Sequence, residues 1–179
     1  MDFNLIASTY RHREEEAQKE LHDILNLFGD PKPESDITPL VGILIGRSVL
    51  EPFQVVNRVK ELVQKEPWRL RYLLRIIPIE CTLTEGGLDL IKNAGKRLSS
   101  KMQKHETFRI TVERRNTLLC SSDIIRNVGS EIDNKVDLEN PDWVVLVEII
   151  GKIVGISVLR PNEIFSSLVE KRQRGTVTW

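Results

Sequence analysis

Two β-branched runs near the C-terminus, WVVLVEII (143–150) and KIVGISVL (152–159), are separated by little more than Gly151. A connection this short closes an antiparallel hairpin and cannot make a parallel crossover, which needs roughly a dozen residues or more. Every earlier strand has to be accommodated around that hairpin.

Upstream, strands and helices alternate. FNLIAS (3–8) reads as a strand, and Ala17, Leu21, Ile24, Leu25 and Phe28 recur at helical spacing until Gly29 and Pro31. PKPESD is expected to be a loop, and Ile37–Ile45 a second strand in which Gly42 and Gly46 mark bends. Pro52 suits the first position of a helix whose buried stripe is Val55, Val56, Val59, Leu62 and Val63. LLRIIPI (73–79) is a buried strand, a helix is expected from about Glu85 to Met102, and FRITVERRN (108–116) is a strand. Ser121 or Ser122 can cap a further helix, with Ile124, Ile125, Val128 and Ile132 on its apolar side. A short helix is expected at about Ile164–Arg172. This order gives an α+β (α/β-like) fold, with helices packed on a mixed sheet.

In FRITVERRN, alternation puts Phe108, Ile110 and Val112 on the core side and Arg109, Thr111 and Glu113 on the other. Arg114 falls on the core parity. Either the strand ends before it, or its guanidinium leaves the edge of the sheet towards something that needs a charge.

Hydrophobic residues make up 40% of the chain and charged residues 29%, an ordinary globular composition with no apolar run approaching the roughly 20 residues of a membrane span. Nothing at the N-terminus resembles a signal or transit peptide, and Cys81 and Cys120 form no CxxC pair, so a reducing cytoplasmic setting is expected. Net charge is zero, but unevenly distributed: residues 92–115 carry about +6 and residues 116–150 about −5. A polyanion docking at one place would match the positive segment; so would a solvated face.

No catalytic or cofactor set emerges. His12, His22 and His105 lack metal-ligand spacing, GxGxxG is absent, and Gly86 and Gly87 fit a helix start better than a phosphate loop. REEEAQKE reads as a solvated helix face. What remains is cationic: Arg69, Arg71 and Arg75 around LLRIIPI; Lys92, Lys96, Arg97 and Lys101 on the next helix; Arg109, Arg114 and Arg115 on the next strand; Lys152 and Arg160 at the ends of the last strand. Because consecutive elements are often spatial neighbours, these groups are expected to converge on one RNA-binding surface. Asn116 adds a donor and an acceptor for a base edge or ribose. Aromatic residues are few, which favours backbone readout of a folded RNA over stacking.

LLRIIPI, FRITVERRN, NKVDLENP, VVLVEII and GISV occur in the order and spacing of a THUMP domain, an RNA-binding module of tRNA-modifying enzymes, and the chain resembles that family over roughly residues 51–165. The resemblance is strongest to stand-alone THUMP adaptors of the tRNA N4-acetylcytidine acetyltransferase. It implies a non-catalytic protein without cofactor that binds tRNA at the acceptor stem and 3′ end and presents a D-arm cytidine of serine and leucine tRNAs to an RNA cytidine acetyltransferase. It also implies a shortened ferredoxin-like part over residues 1–50 and a THUMP domain with a C-terminal helix over 51–179. By motif, Arg75 and Pro78 match its LRxxPI pattern, Arg115 and Asn116 its RN pair, and Asn140 and Pro141 its NP turn. Pro78 and the NP turn are expected to serve the fold, and Arg115 to meet RNA rather than a surface carboxylate. Three alternatives stay open: an RNA-binding subunit of a methyltransferase, thiolation enzyme or pseudouridine synthase; an enzyme with a thiol nucleophile at Cys81 or Cys120; and a ligand-sensing or purely structural module, which the concentrated positive charge disfavours.

Overall fold

The strand and helix pattern resolves into two separate five-stranded sheets. The computed structural model describes residues 2–85 and 87–170. In chain order its elements are β1 (Leu5–Thr9), α1 (Glu14–Leu27), β2 (Glu34–Ile37), β3 (Ile43–Arg47), α2 (Pro52–Lys65), a 3-10 turn (Pro67–Arg69), β4 (Leu73–Pro78) and β5 (Cys81–Leu83). There follow α3 (Leu88–Ser99), β6 (Thr107–Arg115), α4 (Ser121–Gly129), β7 (Lys135–Val136), β8 (Trp143–Ile150), β9 (Ile153–Leu159) and β10 (Phe165–Ser166).

Among the described residues, the first compact unit comprises Phe3–Pro78 and residues 162–170. Its sheet, β10-β4-β1-β3-β2, is antiparallel at every pairing. Glu14, Glu15 and Glu16 lie at the positive end of α1, and Ala17, Leu21, Ile24 and Leu25 form its buried stripe. α2 starts on Pro52, and the Glu51 carboxylate accepts from the Gln54 N–H at 2.8 Å, so its first turn is capped. Both helices bury against Leu5, Ala7, Leu44, Leu73 and Ile76.

This order, βαββαβ, is the ferredoxin-like arrangement. It needs α2 and β4, so the compact unit runs to Pro78 rather than ending near residue 50, and it is complete rather than shortened. The sequence could not show this because β4 takes its place beside β1, more than 60 residues earlier in the chain.

Local differences have local causes. Ile37–Ile45 is a hairpin, not one strand: PKPESD contributes most of β2, and the turn carries Gly42 at φ +76°, where a Cβ would lie 2.9 Å from the Thr9 carbonyl oxygen. Phe165, fully buried, starts β10 against Ile76, so helix begins only at Ser167; the rest of the expected C-terminal helix lies outside the described residues, as does Gly86.

The second unit, Ile79–Pro161 with Asp2, is built on the sheet β5-β9-β8-β6-β7. β6 runs parallel to β8 and β7, whereas β8, β9 and β5 are antiparallel in turn, giving the mixed sheet that the hairpin demands. Gly151, at φ +63°, makes the tight turn. α3 and α4 cover the face bearing Phe108, Val145, Val147, Val154, Ile156 and Val158. They approach so closely at Gly95 that a Cβ there would lie 2.8 Å from Val128 Cγ1.

Candidate nucleic-acid interface

In the second unit the expected basic surface is divided into three groups. β6 spans nine residues, so its ends stand about 26 Å apart at roughly 3.3 Å per residue. That separation distributes the cations before any side chain is considered.

At the C-terminal end of β6, Arg114 lies opposite Ile149 and Arg115 opposite Ile150, and the Gly151 N–H donates to the Arg115 carbonyl at 2.9 Å. Lys152, exposed at the hairpin tip, therefore sits beside the two arginines, and among the described residues it forms no ion pair. The strand continues through Arg114. Its side chain shares the parity of Phe108, but past the helix-covered core it is exposed, and Nε donates to Ser121 Oγ, in the first residue of α4, at 3.1 Å. Sequence reasoning did not identify Ser121 as that partner, although a helix start soon after the strand was the available signal.

Arg115 points the other way. Nη1 donates to Glu148 Oε2 at 2.8 Å, the Glu148 side chain is 1% exposed, and Arg115 is about one-third exposed. The carboxylate it meets most closely is thus buried, while its Nη2 lies 3.9 Å from the half-exposed Glu113 carboxylate. Asn116 has φ +52°, a left-handed conformation that asparagine tolerates better than most residues, and its side chain is exposed. It turns the chain out of the sheet.

A second group lies on the helices. Lys92 and Lys96 grip Glu131 at 2.8 and 2.7 Å, and their hydrogen bonds, Lys92 first, hold its carboxyl down to about 2; Lys96 is raised in return. Arg97, exposed, donates to Cys81 Sγ at 3.3 Å.

The third group surrounds the start of β6. Arg160 lies 3.8 Å from the Trp143 ring centroid and 2.6 Å from Glu106, while Lys101 pairs with Glu80 at 2.7 Å. The Gln103 backbone N–H, followed by the Trp143 indole N–H and Arg160, holds the Glu106 carboxyl down to about 2. Arg109 donates to the Leu138 carbonyl at 3.3 Å.

Several motif residues serve the fold. Asp137 accepts the N–H groups of Glu139 and Asn140, shaping the NP turn above buried Pro141, and Asn134 donates to the carbonyls of Gln103 and Glu106. Arg75 belongs to the other unit, half-buried on β4 between Ser8 and Ser166. The arrangement most accessible to a polyanion is therefore Arg114 with Lys152 at the C-terminal end of β6, next to the first turn of α4.

Residues 88–159 match the THUMP domain family model. THUMP domain-containing protein 1 of Homo sapiens is 29% identical over 125 residues, covering 65% of this chain and 35% of that protein; the Mus musculus protein is 28% identical over the same length. The chain thus spans about a third of these relatives. Among solved structures, PH1313 from Pyrococcus horikoshii aligns with a TM-score of 0.70 at 19% identity, over 89% of this chain and 55% of that one. TrmN from Thermus thermophilus aligns at 0.63 and 18%, over 89% and 47%. A 4-thiouridine synthetase solved with RNA and ATP aligns at 0.58 and 15%, over 89% and 42%. At these identities the likeness is one of fold.

Proposed function

We propose that this chain, which carries a THUMP domain over residues 88–159, is a non-catalytic tRNA-binding adaptor: it grips tRNA near the acceptor stem and 3′ end and presents a D-arm cytidine of serine and leucine tRNAs to an N4-acetylcytidine-forming acetyltransferase. The observation that carries the RNA reading is the pair Arg114 and Lys152 at the end of the THUMP sheet, exposed and without ion pairs among the described residues. Guanidinium and ammonium groups there can take neighbouring backbone phosphates. The acetyltransferase partner rests on the motif resemblance. Arg97 extends the accessible cationic surface; the cations held by Glu131, Glu148, Glu80 and Glu106 are largely neutralised by those carboxylates and add little to it.

A second reading is favoured by the fold shared with the 4-thiouridine synthetase–RNA complex: the chain serves a different tRNA-modifying enzyme. Mapping modified nucleotides in a strain lacking this chain separates the two. Loss of N4-acetylcytidine from serine and leucine tRNAs, with the acetyltransferase still present, supports the adaptor. Loss of another modified nucleotide supports the second reading, and an unchanged profile rejects both.

A further inference from the structure

The 3-10 turn and the residues after it read Trp68-Arg69-Leu70-Arg71-Tyr72, within the first compact unit. Leu70 is 5% exposed and anchors the segment in the core, yet Trp68 beside it is 62% exposed. An exposed indole is not unusual in itself, but one held on a fixed backbone beside a depression offers a flat face on which a ligand can stack. The backbone is fixed by α1. The Glu20 carboxylate accepts three consecutive N–H groups, from Arg71 at 2.6 Å, Tyr72 at 3.0 Å and Leu73 at 2.8 Å. The Arg71 Nε also donates to the Trp68 carbonyl at 3.3 Å.

Between this segment and α1 lies an open depression of about 560 Å³, lined by Lys19, Asp23, Leu27, Trp68, Arg71 and Tyr72 among others. Several nearby carboxylates are already engaged: Glu20 holds the backbone, Glu16 pairs with Arg13 at 2.5 Å, and Glu66 pairs with Arg69 at 2.8 Å. Lys19 and Arg71 form no ion pair among the described residues, and neither does Asp23. The free lining is therefore an aromatic face, two cations and one acceptor.

We propose that this depression holds one unpaired nucleotide of the bound RNA, its base stacked on Trp68, its phosphate met by Lys19 and Arg71, and an exocyclic amine donated to Asp23. This rests on the RNA-binding reading and deepens it. Stacking on an indole tolerates any base, whereas an Asp23 positioned for an exocyclic amine is met by adenine, cytosine or guanine, and by uracil only if its N3–H reaches the same place. A basic peptide is less well matched, because it would face Lys19 and Arg71.

The test titrates the full chain with single-stranded oligoadenylate and oligouridylate of about eight nucleotides, a length within the usual single-strand site size, and with an RNA duplex of equal length. Tryptophan emission and RNA anisotropy are read together. The expected result is quenching by oligoadenylate, weaker quenching by oligouridylate and none by the duplex. In Trp68→Leu the part of the quench that comes from Trp68 is lost and oligoadenylate affinity falls about tenfold, while Trp68→Phe loses the same signal but keeps most of that affinity. A circular-dichroism melt of Trp68→Leu that matches the parent excludes unfolding.

Unchanged affinity and quench in Trp68→Leu overturn the proposal, and so does adenosine monophosphate quenching as tightly as the oligomer, which makes the depression a free-nucleotide site. Reduced co-purification of the acetyltransferase with Trp68→Leu, at unchanged RNA affinity, overturns it in favour of protein docking. If the parent binds intact tRNA with the expected salt dependence but without quench, and Trp68→Leu binds it equally well, the stacking site fails while the RNA reading stands. If the parent binds no RNA, the RNA reading fails as well.

Discussion

Arg115 Nη1 lies 2.8 Å from Glu148 Oε2, and the Glu148 side chain is 1% exposed, so the second arginine of FRITVERRN meets a carboxylate inside the protein. Removing one partner of a buried pair costs more than the pair contributes, because the remaining charge loses its counter-ion. Arg115→Ala is expected to destabilise the chain by about 2–3 kcal/mol, below the fully buried case because Arg115 is about one-third exposed. In denaturant unfolding, adding Glu148→Gln to Arg115→Ala should restore part of that loss. Independent, additive losses would mean that the two groups are not coupled.

Glu131 and Glu106 both have carboxyls held near 2, the first chiefly by Lys92 and Lys96, the second chiefly by the Gln103 N–H, Trp143 and Arg160. Their unfolded values are ordinary, about 4.3. The folded form therefore binds protons less readily, and the stabilisation is fully present above about pH 5 and lost as pH falls towards 2. Thermal melts between about pH 6 and pH 2.5 should show a steep acid loss of stability, shallower in Glu131→Gln and in Glu106→Gln. Parallel curves for variants and parent would contradict it.

Gly95 is the contact point of α3 and α4. A methyl there would lie 2.8 Å from one γ-carbon of Val128 and 3.6 Å from the other, and a β-branched side chain has little room to turn aside. Although alanine is the better helix former, Gly95→Ala is expected to cost about 1–3 kcal/mol in unfolding measurements. A neutral or stabilising result would show that the helices separate easily.

Charge removal should divide the lysines and arginines. Arg114→Ala and Lys152→Ala are each expected to lower the magnitude of the log–log salt slope of tRNA binding by about 0.7–0.9, one phosphate contact each. Lys92→Ala, whose ammonium is held by Glu131, should change that slope little and reduce stability instead. The reverse ranking would move the RNA surface onto α3.

The α2 helix was legible because Pro52 and the apolar spacing act within one helix, and the β8–β9 hairpin because one short connection determines it. β2 was missed since ESDI belongs to an edge strand that is polar and half-exposed, and β5, β7 and β10 are too short to carry a periodic pattern. The candidate cations were legible in composition, but their arrangement in space was not. The positive run 92–115 and the negative run 116–150 are partly complementary: Glu131 neutralises Lys92 and Lys96, and Glu148 meets Arg115. Such pairings join residues more than 30 positions apart, beyond any local reading of charge. For Arg114 the parity left a strand end or an outward guanidinium open, and the strand runs on to Arg115 with the Arg114 side chain exposed.

The most direct measurement is binding of the full chain to intact serine tRNA, to the same tRNA trimmed of its 3′ end, and to duplex DNA across a salt series, with Arg114→Glu/Lys152→Glu alongside. The proposed role predicts selective binding of intact tRNA, weaker binding of the trimmed form, and a marked loss of affinity in a double variant that unfolds at the parental denaturant concentration. Equal binding to DNA, or parental tRNA affinity in the double variant, would contradict it.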